Sequence, residues 1–267
     1  MGEFDRSREM GSRPITPAIT VALQNRIAEV AFDFLTTHHD FGLPIIRSDI
    51  ATITRDFFGV YNRRVIVDNE GGTKFNDSYW IYLIARLRNP AFILESGSHK
   101  GHSSWLFRQA CPDAEIHCFD VSFAHLEYCD PAITYLEHDW MDVDIRCPDP
   151  ARSLCFFDDH INHAMRVRQA YERGFRFLTF DDDLGVHNVY ATGHPPAPTI
   201  SMLFDPDLRD GTTLKWMRHD RAKSYTFHEA DTYDARSLIA AHAKTPCLSS
   251  ITRYRPQSGL TIVGLVD

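Results

Sequence analysis

No uninterrupted apolar run approaches the ~20 residues that a membrane-spanning helix requires, and the opening MGEFDRSREMGSRP is charged where a secretory leader would be apolar. Both absences predict a cytoplasmic chain with no membrane partner. Positive charge is in short supply as well: 28 Lys and Arg stand against 36 Asp and Glu, a net charge of −8 over 267 residues. Such a field repels phosphate backbones, so nucleic acid is not an expected partner. Cysteine pairing motifs are missing: Cys111, Cys118, Cys129, Cys147, Cys155 and Cys247 never form a CxxC, and they are expected to be buried free thiols. There is no internal repeat. What remains is an ordinary composition, 43% hydrophobic and 24% charged, near the upper size limit of a single core.

Thr16-Pro17 reads as a helix cap followed by proline at the first helical position, and Ile19, Leu23, Ile27, Val30, Ala31, Phe34 and Leu35 then recur at helical spacing. Further helical patterns over 46–58 and 76–88 make residues 1–89 a helical extension or lid, with surface available for self-association into a homo-oligomer. From Pro90 the texture changes. AFILES, EIHCFD, AITYLEH, SLCFFDD and FRFLTFDD alternate with helices through Trp105–Ala110 and over 161–173, the latter ending at Gly174. Alternation of this kind implies an α/β fold, a doubly wound parallel sheet over residues 90–267. After Asp183 the pattern dissolves for about forty residues around His194-Pro195-Pro196-Ala197-Pro198, a length that is usually functional. Residues 183–226 are therefore expected to be an acceptor-binding loop that orders with ligand. A last helix is expected near 228–243. LSSITRY and LTIVGLV, joined by Pro256-Gln257-Ser258-Gly259, are expected to form a terminal antiparallel hairpin.

In an open parallel sheet, ligands bind beyond the carboxyl ends of the strands. The first strand ends in Glu95-Ser96-Gly97-Ser98-His99-Lys100-Gly101-His102-Ser103-Ser104, a glycine turn opening onto a helix N-terminus, where free amides favour anionic groups. It lacks the GxGxxG of dinucleotide enzymes and the GK[ST] ending of a phosphate loop, so it is either a nucleotide-type site or a tight structural turn. Asp120 ends the second strand, placed for ribose hydroxyls or merely solvated. Asp139-Trp140 follows the third, offering a carboxylate and an indole to an adenine ring unless the indole is core.

Glu95-x-Gly97-x-x-x-Gly101, then Asp120, then Asp139 resembles the cofactor-binding series of class I S-adenosylmethionine-dependent methyltransferases, from about residue 90 to the end. The resemblance implies a Rossmann-like seven-stranded sheet whose terminal hairpin supplies strands six and seven. It also implies that Glu95, Gly97 and Gly101 surround the methionine end, Asp120 the ribose and Asp139 the adenine, and Ser98, Ser103 and Trp140 are expected to join them in binding the cofactor. Phe157-Asp158-Asp159-His160 and Phe180-Asp181-Asp182-Asp183 further resemble metal-dependent sugar O-methyltransferases of the macrolide-sugar and cephalosporin type, and the pattern is similar to methyltransferases of capsule and surface glycans. One departure stands out: Phe157 occupies the place of that family's metal-binding aspartate, and Asp158 comes one residue late.

A divalent cation such as Mg²⁺ or Mn²⁺, held by hard oxygen ligands, lowers the pKa of a sugar hydroxyl while a nearby base removes its proton. Asp158, Asp181 and Asp182 are the expected cage and His160 the expected base, with His163 and His187 as reserves. The expected activity is methyl transfer from S-adenosylmethionine to a hydroxyl of a sugar or glycan-like acceptor. Two alternatives stay open. Asp158-Asp159 or Asp181-Asp182-Asp183 would also suit a metal-dependent glycosyltransferase using a sugar nucleotide, and the Phe157 departure would suit a cofactor-binding module without chemistry.

Overall fold

The computed structural model describes residues 17–191, 194–218, 220–255, 257 and 259–267. The expected cap Thr16, and Pro256 and Ser258 of the expected hairpin joint, lie outside the described residues. Helices α1 (Pro17–Thr37), α2 (Arg47–Tyr61) and α3 (Phe75–Arg88) open the chain. A left-handed Asn89, whose amide returns to the Ala85 carbonyl, ends α3 directly before Pro90.

Five parallel strands follow: β1 (Phe92–Ser96), β2 (Glu115–Phe119), β3 (Ile133–Leu136), β4 (Ser153–Phe157) and β5 (Phe177–Phe180), with α4 (His102–Ala110) after β1 and α5 (His163–Glu172) after β4. Two antiparallel strands, β8 (Ile239–Lys244) and β9 (Thr261–Leu265), complete the sheet in the order β3-β2-β1-β4-β5-β9-β8. Alternate residues of each strand face opposite sides, and each side has its own core. Ile93, Leu154, Phe156, Phe177 and Ile262 join α1–α4 on one face. Leu94, Cys155, Phe157, Leu178 and Val263 join α5 and Trp140 on the other. The N-terminal helices thus share a buried cluster with the sheet itself.

Four expectations need correction. The partner of β9 is Ile239–Lys244, where a helix was expected; within 228–243 only a 3-10 turn (Glu229–Thr232) and α7 (Ala235–Leu238) are helical. Ala-rich IAAHAK has helical propensity, but hydrogen bonding to β9, with a bulge between Ile239 and Ala241, overrides it. LSSITRY, expected as that partner, contains instead the short helix α8 (Ser249–Thr252). The Thr252 hydroxyl sits 3.0 Å from the Leu248 carbonyl and 3.0 Å from Asn76 Oδ1 of α3, local and tertiary bonds that a strand would forfeit. The stretch after Asp183 is not irregular either. It holds α6 (Ile200–Leu203) and a separate antiparallel hairpin, β6 (Thr213–Arg218) with β7 (Arg221–Thr226), around a small cluster of Val189, Met202, Leu208 and Phe227. Among the described residues no helix is long and apolar enough to cross a membrane. All six cysteines are free, but Cys129 and Cys247 are exposed and Cys147 is half-buried, so burial holds only for Cys111, Cys118 and Cys155.

Candidate functional site

The turn after β1 is built by backbone proximity. Gly97 has φ +92°, and a Cβ there would stand 2.3 Å from the Asp158 carbonyl oxygen. Its amide donates to the Phe119 carbonyl at 2.8 Å, and the Asp158 amide donates to the Ser96 carbonyl at 2.8 Å. Gly101, at φ +87°, caps α4 where a Cβ would meet the Tyr128 carbonyl at 2.8 Å. Asp120 Oδ2 accepts the amides of Ser98 (3.0 Å) and His99 (2.9 Å), and Oδ1 accepts that of Ser122 at 3.1 Å. A carboxylate has about four acceptor directions, so one remains for a ligand hydroxyl. Gly97→Ala is expected to cost on the order of 2–5 kcal/mol, from left-handed strain plus a clash that no side-chain rotation relieves. Chemical denaturation would measure it, and a loss below ~1 kcal/mol would mean that the two strand ends can separate.

Glu95 departs from its expected place at the methionine end. It is fully buried, and its carboxyl receives the Ser103 hydroxyl, the Ser104 hydroxyl at 2.5 Å and the Cys118 thiol at 2.9 Å. Burial raises its pKa against those hydrogen bonds. Glu95 and Ser103 therefore lock β1 to α4, their polar atoms turned to each other inside the fold. His102, one residue earlier on α4, binds the Ser78 hydroxyl of α3 at 3.0 Å. Burial, reinforced by the charges of Arg64 and Lys74, pushes its pKa down to about 3. A ring held neutral stabilises the fold above its unfolded pKa of about 6.5, and that stability is lost as pH falls towards the folded value. Between those limits the wild type should lose roughly 1.4 kcal/mol per pH unit relative to His102→Gln in urea titrations; parallel stability curves would refute a buried neutral ring.

The arrangement around Asp139 was not foreseen. Arg166 of α5 is 1% exposed. Its Nη1 and Nη2 donate to Asp139 Oδ1 (2.9 Å) and Oδ2 (2.6 Å), its Nε to Asp159 Oδ2 (2.9 Å), and Nη1 also to Gln169 Oε1 at 2.9 Å. The Ser96 hydroxyl donates to Asp159 Oδ2 at 2.6 Å. One guanidinium thus ties the ends of β1, β3 and β4. Burial pushes the Asp139 carboxyl up, but hydrogen bonds from Arg166 and the Met141 amide outweigh it and hold the pKa below the usual range. At Asp159, more deeply buried, desolvation wins and the pKa rises. The signal was legible: Arg166 lies three residues after His163 and four before Ala170, a charge on the buried stripe of α5. Trp140 is core, fully buried against Phe157 and Phe175, with its indole N–H unpartnered.

The ends of β4 and β5 converge. Single ligand atoms of Asp158, His160 and Asp182 lie within 4.8 Å of one another, and His160 Nδ1 is 3.4 Å from Asp182 Oδ2. His160 (φ +57°) and Asp182 (φ +53°) both adopt the left-handed conformation, a cost that recurs at functional sites. Phe157, in the family's aspartate position, is buried and stacked on Phe180 at 5.1 Å, while Asp158 leaves the ladder and enters the cluster. Burial, then Asp181 and Asp182, raise the pKa of Asp158 well above the carboxylate range. Burial and Asp181 push Asp182 up to about 7, against the charges of Arg218 and Lys244. Two crowded carboxyls are a donor set that suits a hard divalent cation. Asp181, expected in the cage, is 4% exposed; its Oδ1 accepts the Asp182 amide at 2.9 Å, and it lies outside the converging group. Asp183 anchors β5 to α6 and β9 through Ser201 and Thr261. Of the reserve histidines, His187 is exposed. His163 is buried against Phe180 with its pKa pushed down to about 4 by burial, which suits packing better than proton transfer at the cluster.

No protein-family model and no curated protein matches the chain. Solved structures with a similar arrangement include a Podospora anserina methyltransferase bound to S-adenosylhomocysteine, 15% identical over 80% of this chain and 88% of that one, TM-score 0.45. An O-methyltransferase from Bacillus cereus, also with S-adenosylhomocysteine, is 11% identical over 79% of this chain and 90% of that one, TM-score 0.47. The O-methyltransferase TomG of Streptomyces achromogenes, involved in tomaymycin synthesis and bound to S-adenosylmethionine, is 15% identical over 79% and 89%, TM-score 0.46. Superposition this loose transfers no activity.

Proposed function

We propose that the protein is an enzyme that transfers a methyl group from S-adenosylmethionine to a hydroxyl of a sugar or glycan-like acceptor, with the help of a divalent cation. The observation that carries this reading is the convergence of Asp158, His160 and Asp182 beside the glycine turn, at the carboxyl edge of a parallel sheet. The residues fit the cofactor in part. Asp120 keeps an acceptor direction for a ribose hydroxyl, Gly97 and Gly101 keep the turn compact, and Arg166 orients Asp139 at the neighbouring strand end. S-adenosylmethionine would supply an electrophilic methyl. A bound Mg²⁺ or Mn²⁺ would acidify the acceptor hydroxyl. Asp158 and Asp182 would hold the cation by oxygen, which hard cations prefer to imidazole, leaving His160 to act as base. With Nδ1 turned to Asp182, His160 takes the hydroxyl proton on Nε2.

Calorimetry tests the assignment. S-adenosylhomocysteine is expected to bind and a UDP-hexose not to. Mn²⁺ is expected to bind the wild type and to lose most of its affinity for Asp182→Asn. Tight UDP-hexose binding without S-adenosylhomocysteine binding would replace this reading with the sugar-nucleotide one.

A further inference from the structure

Lys244 is a cation that the chemistry at the cluster does not use. It ends β8, and because β5 and β8 both run antiparallel to β9, β8 points the same way as the five parallel strands and ends at the same edge of the sheet. The register places it in one row with the residues just before the cluster: Lys244 pairs with Thr261, Thr261 with Phe180, and Phe180 with Phe157. Residues of one row share a face, so Lys244 rises on the α5 side of the sheet, as Phe180 and Phe157 do. Its ammonium donates to the Asp183 carbonyl, one residue beyond Asp182. The stem gets there by crossing Gly259, where a Cβ would stand 3.1 Å from Nζ and 3.2 Å from Cε. Lys244 is thus exposed to solvent while its ammonium is held in one place.

Carboxylates are plentiful nearby, yet among the described residues Lys244 has none as a partner. Its bond goes to a neutral carbonyl, which leaves the charge available. Arg218 repeats the pattern: Nη1 donates to the carbonyls of Tyr190 (3.2 Å) and Ala191, in the segment that leaves β5, and among the described residues to no carboxylate. Both charges reach the Asp182 carboxyl. Asp181 and Asp183 are 4% and 1% exposed, and the Asp183 carboxylate is occupied by Ser201 and Thr261. Once a divalent cation compensates Asp158 and Asp182, Lys244 stands beside them as an unpaired positive charge open to solvent. An acceptor that carries its own negative group finds a charge-assisted hydrogen bond there, and that bond sets which way round the molecule lies.

We propose that Lys244 is an acceptor-binding residue whose ammonium takes an anionic group, carboxylate or phosphate, of the saccharide whose hydroxyl lies at the cluster. The proposal rests on the methyl-transfer reading for the hydroxyl but not for the anion site itself.

The full chain has five lysines, so ¹³Cε-lysine labelling gives a direct probe once Lys244→Arg identifies the Lys244 signal. Glucuronate, glucose 6-phosphate and neutral glucose are titrated at matched ionic strength in excess Mg²⁺, and calorimetry follows the same titrations and S-adenosylhomocysteine binding in parallel. The Lys244 signal is expected to move saturably with glucuronate or glucose 6-phosphate and not with glucose; which of the two acts separates carboxylate from phosphate. Lys244→Met keeps most of the stem over Gly259, and in calorimetry its affinity for the anion should fall by about tenfold or more, the scale of a lost charge-assisted hydrogen bond. Lys244→Arg should retain most of the affinity, and neither variant should change S-adenosylhomocysteine binding. No shift with either anion, or an equal shift with glucose, would overturn the proposal. So would undiminished anion binding by Lys244→Met, because the anion would then sit on the Mg²⁺ or elsewhere. Loss of anion and S-adenosylhomocysteine binding together in Lys244→Met would make the lysine a brace between β8 and β5, and would overturn it too. Anion binding without S-adenosylhomocysteine binding in the wild type would uphold the site and remove the methyl-transfer reading. The reverse pattern would do the opposite.

Discussion

Replacing Arg166 by methionine is expected to destabilise the protein by about 3–5 kcal/mol, the usual cost of removing one partner from a buried charge network. Methionine fills much of the space of the arginine stem, so packing survives and the loss isolates the electrostatics. Asp159 would keep the Ser96 hydroxyl and the Ile161 amide but lose its cation, with only 12% of its side chain exposed. Asp139, at 32%, can recruit water. Adding Asp159→Asn should therefore recover part of the loss, whereas Asp139→Asn should recover less. Urea denaturation of the three variants measures both effects. A loss below ~1 kcal/mol for Arg166→Met would show that solvent reaches the network, and equal recovery by the two second substitutions would remove the distinction between the carboxylates. Lysine is not expected to rescue, because a single ammonium cannot span two carboxylates and Gln169 as the planar fork does.

His160→Ala is expected to lower the rate of methyl transfer by roughly 10²- to 10⁴-fold, the range for loss of a general base. Cation affinity should hardly change, since Asp158 and Asp182 remain. Asp182→Asn should do the reverse in order of cause: weak cation binding first, and lost turnover as its result. Chelation by EDTA should abolish turnover and Mn²⁺ should restore it in the wild type. If His160→Ala instead binds Mn²⁺ poorly and regains full turnover at high Mn²⁺, the imidazole is a ligand and the base lies elsewhere.

The parallel half of the fold was legible because its signals are local. Fully buried strands such as FILES and SLCFF are short apolar runs with acidic residues at or just beyond their carboxyl ends, and α3 stops at Asn89-Pro90 through backbone constraints that sequence states directly. The carboxyl-terminal strand pair was misplaced because its determinants are not local. IAAHAK has no strand propensity of its own, and the SSIT turn is held by Asn76, 176 residues away. At the site, the types of residue were legible but their partners were not. Glu95 and Asp120 stand at the expected strand ends, yet the carboxyl of one is consumed by Ser103, Ser104 and Cys118, and that of the other is held by three turn amides that leave it a single acceptor direction. Phe157 stands where the resemblance puts an aspartate, and only the folded backbone shows that Asp158, one residue later, joins His160 and Asp182 in the cluster.

The backbone contact at Gly97 has a further consequence for how this chain can diversify. Because the turn after β1 abuts the peptide of Asp158 and Asp159 directly, the glycine turn and the acidic strand end form one inflexible block, intolerant of insertion at either strand end. The stretch from Asp183 to Phe227 is built differently. It has its own small cluster, and its origin is pinned by Asp183 to Gly259 and Thr261. Recombination that exchanges this stretch between chains of this fold would leave the core under α1–α4 whole but would have to keep Ile200 and Leu203 of α6, which belong to the core on the other face, so the surface of the stretch can be replaced by grafting while the strand ends beneath are inherited unchanged.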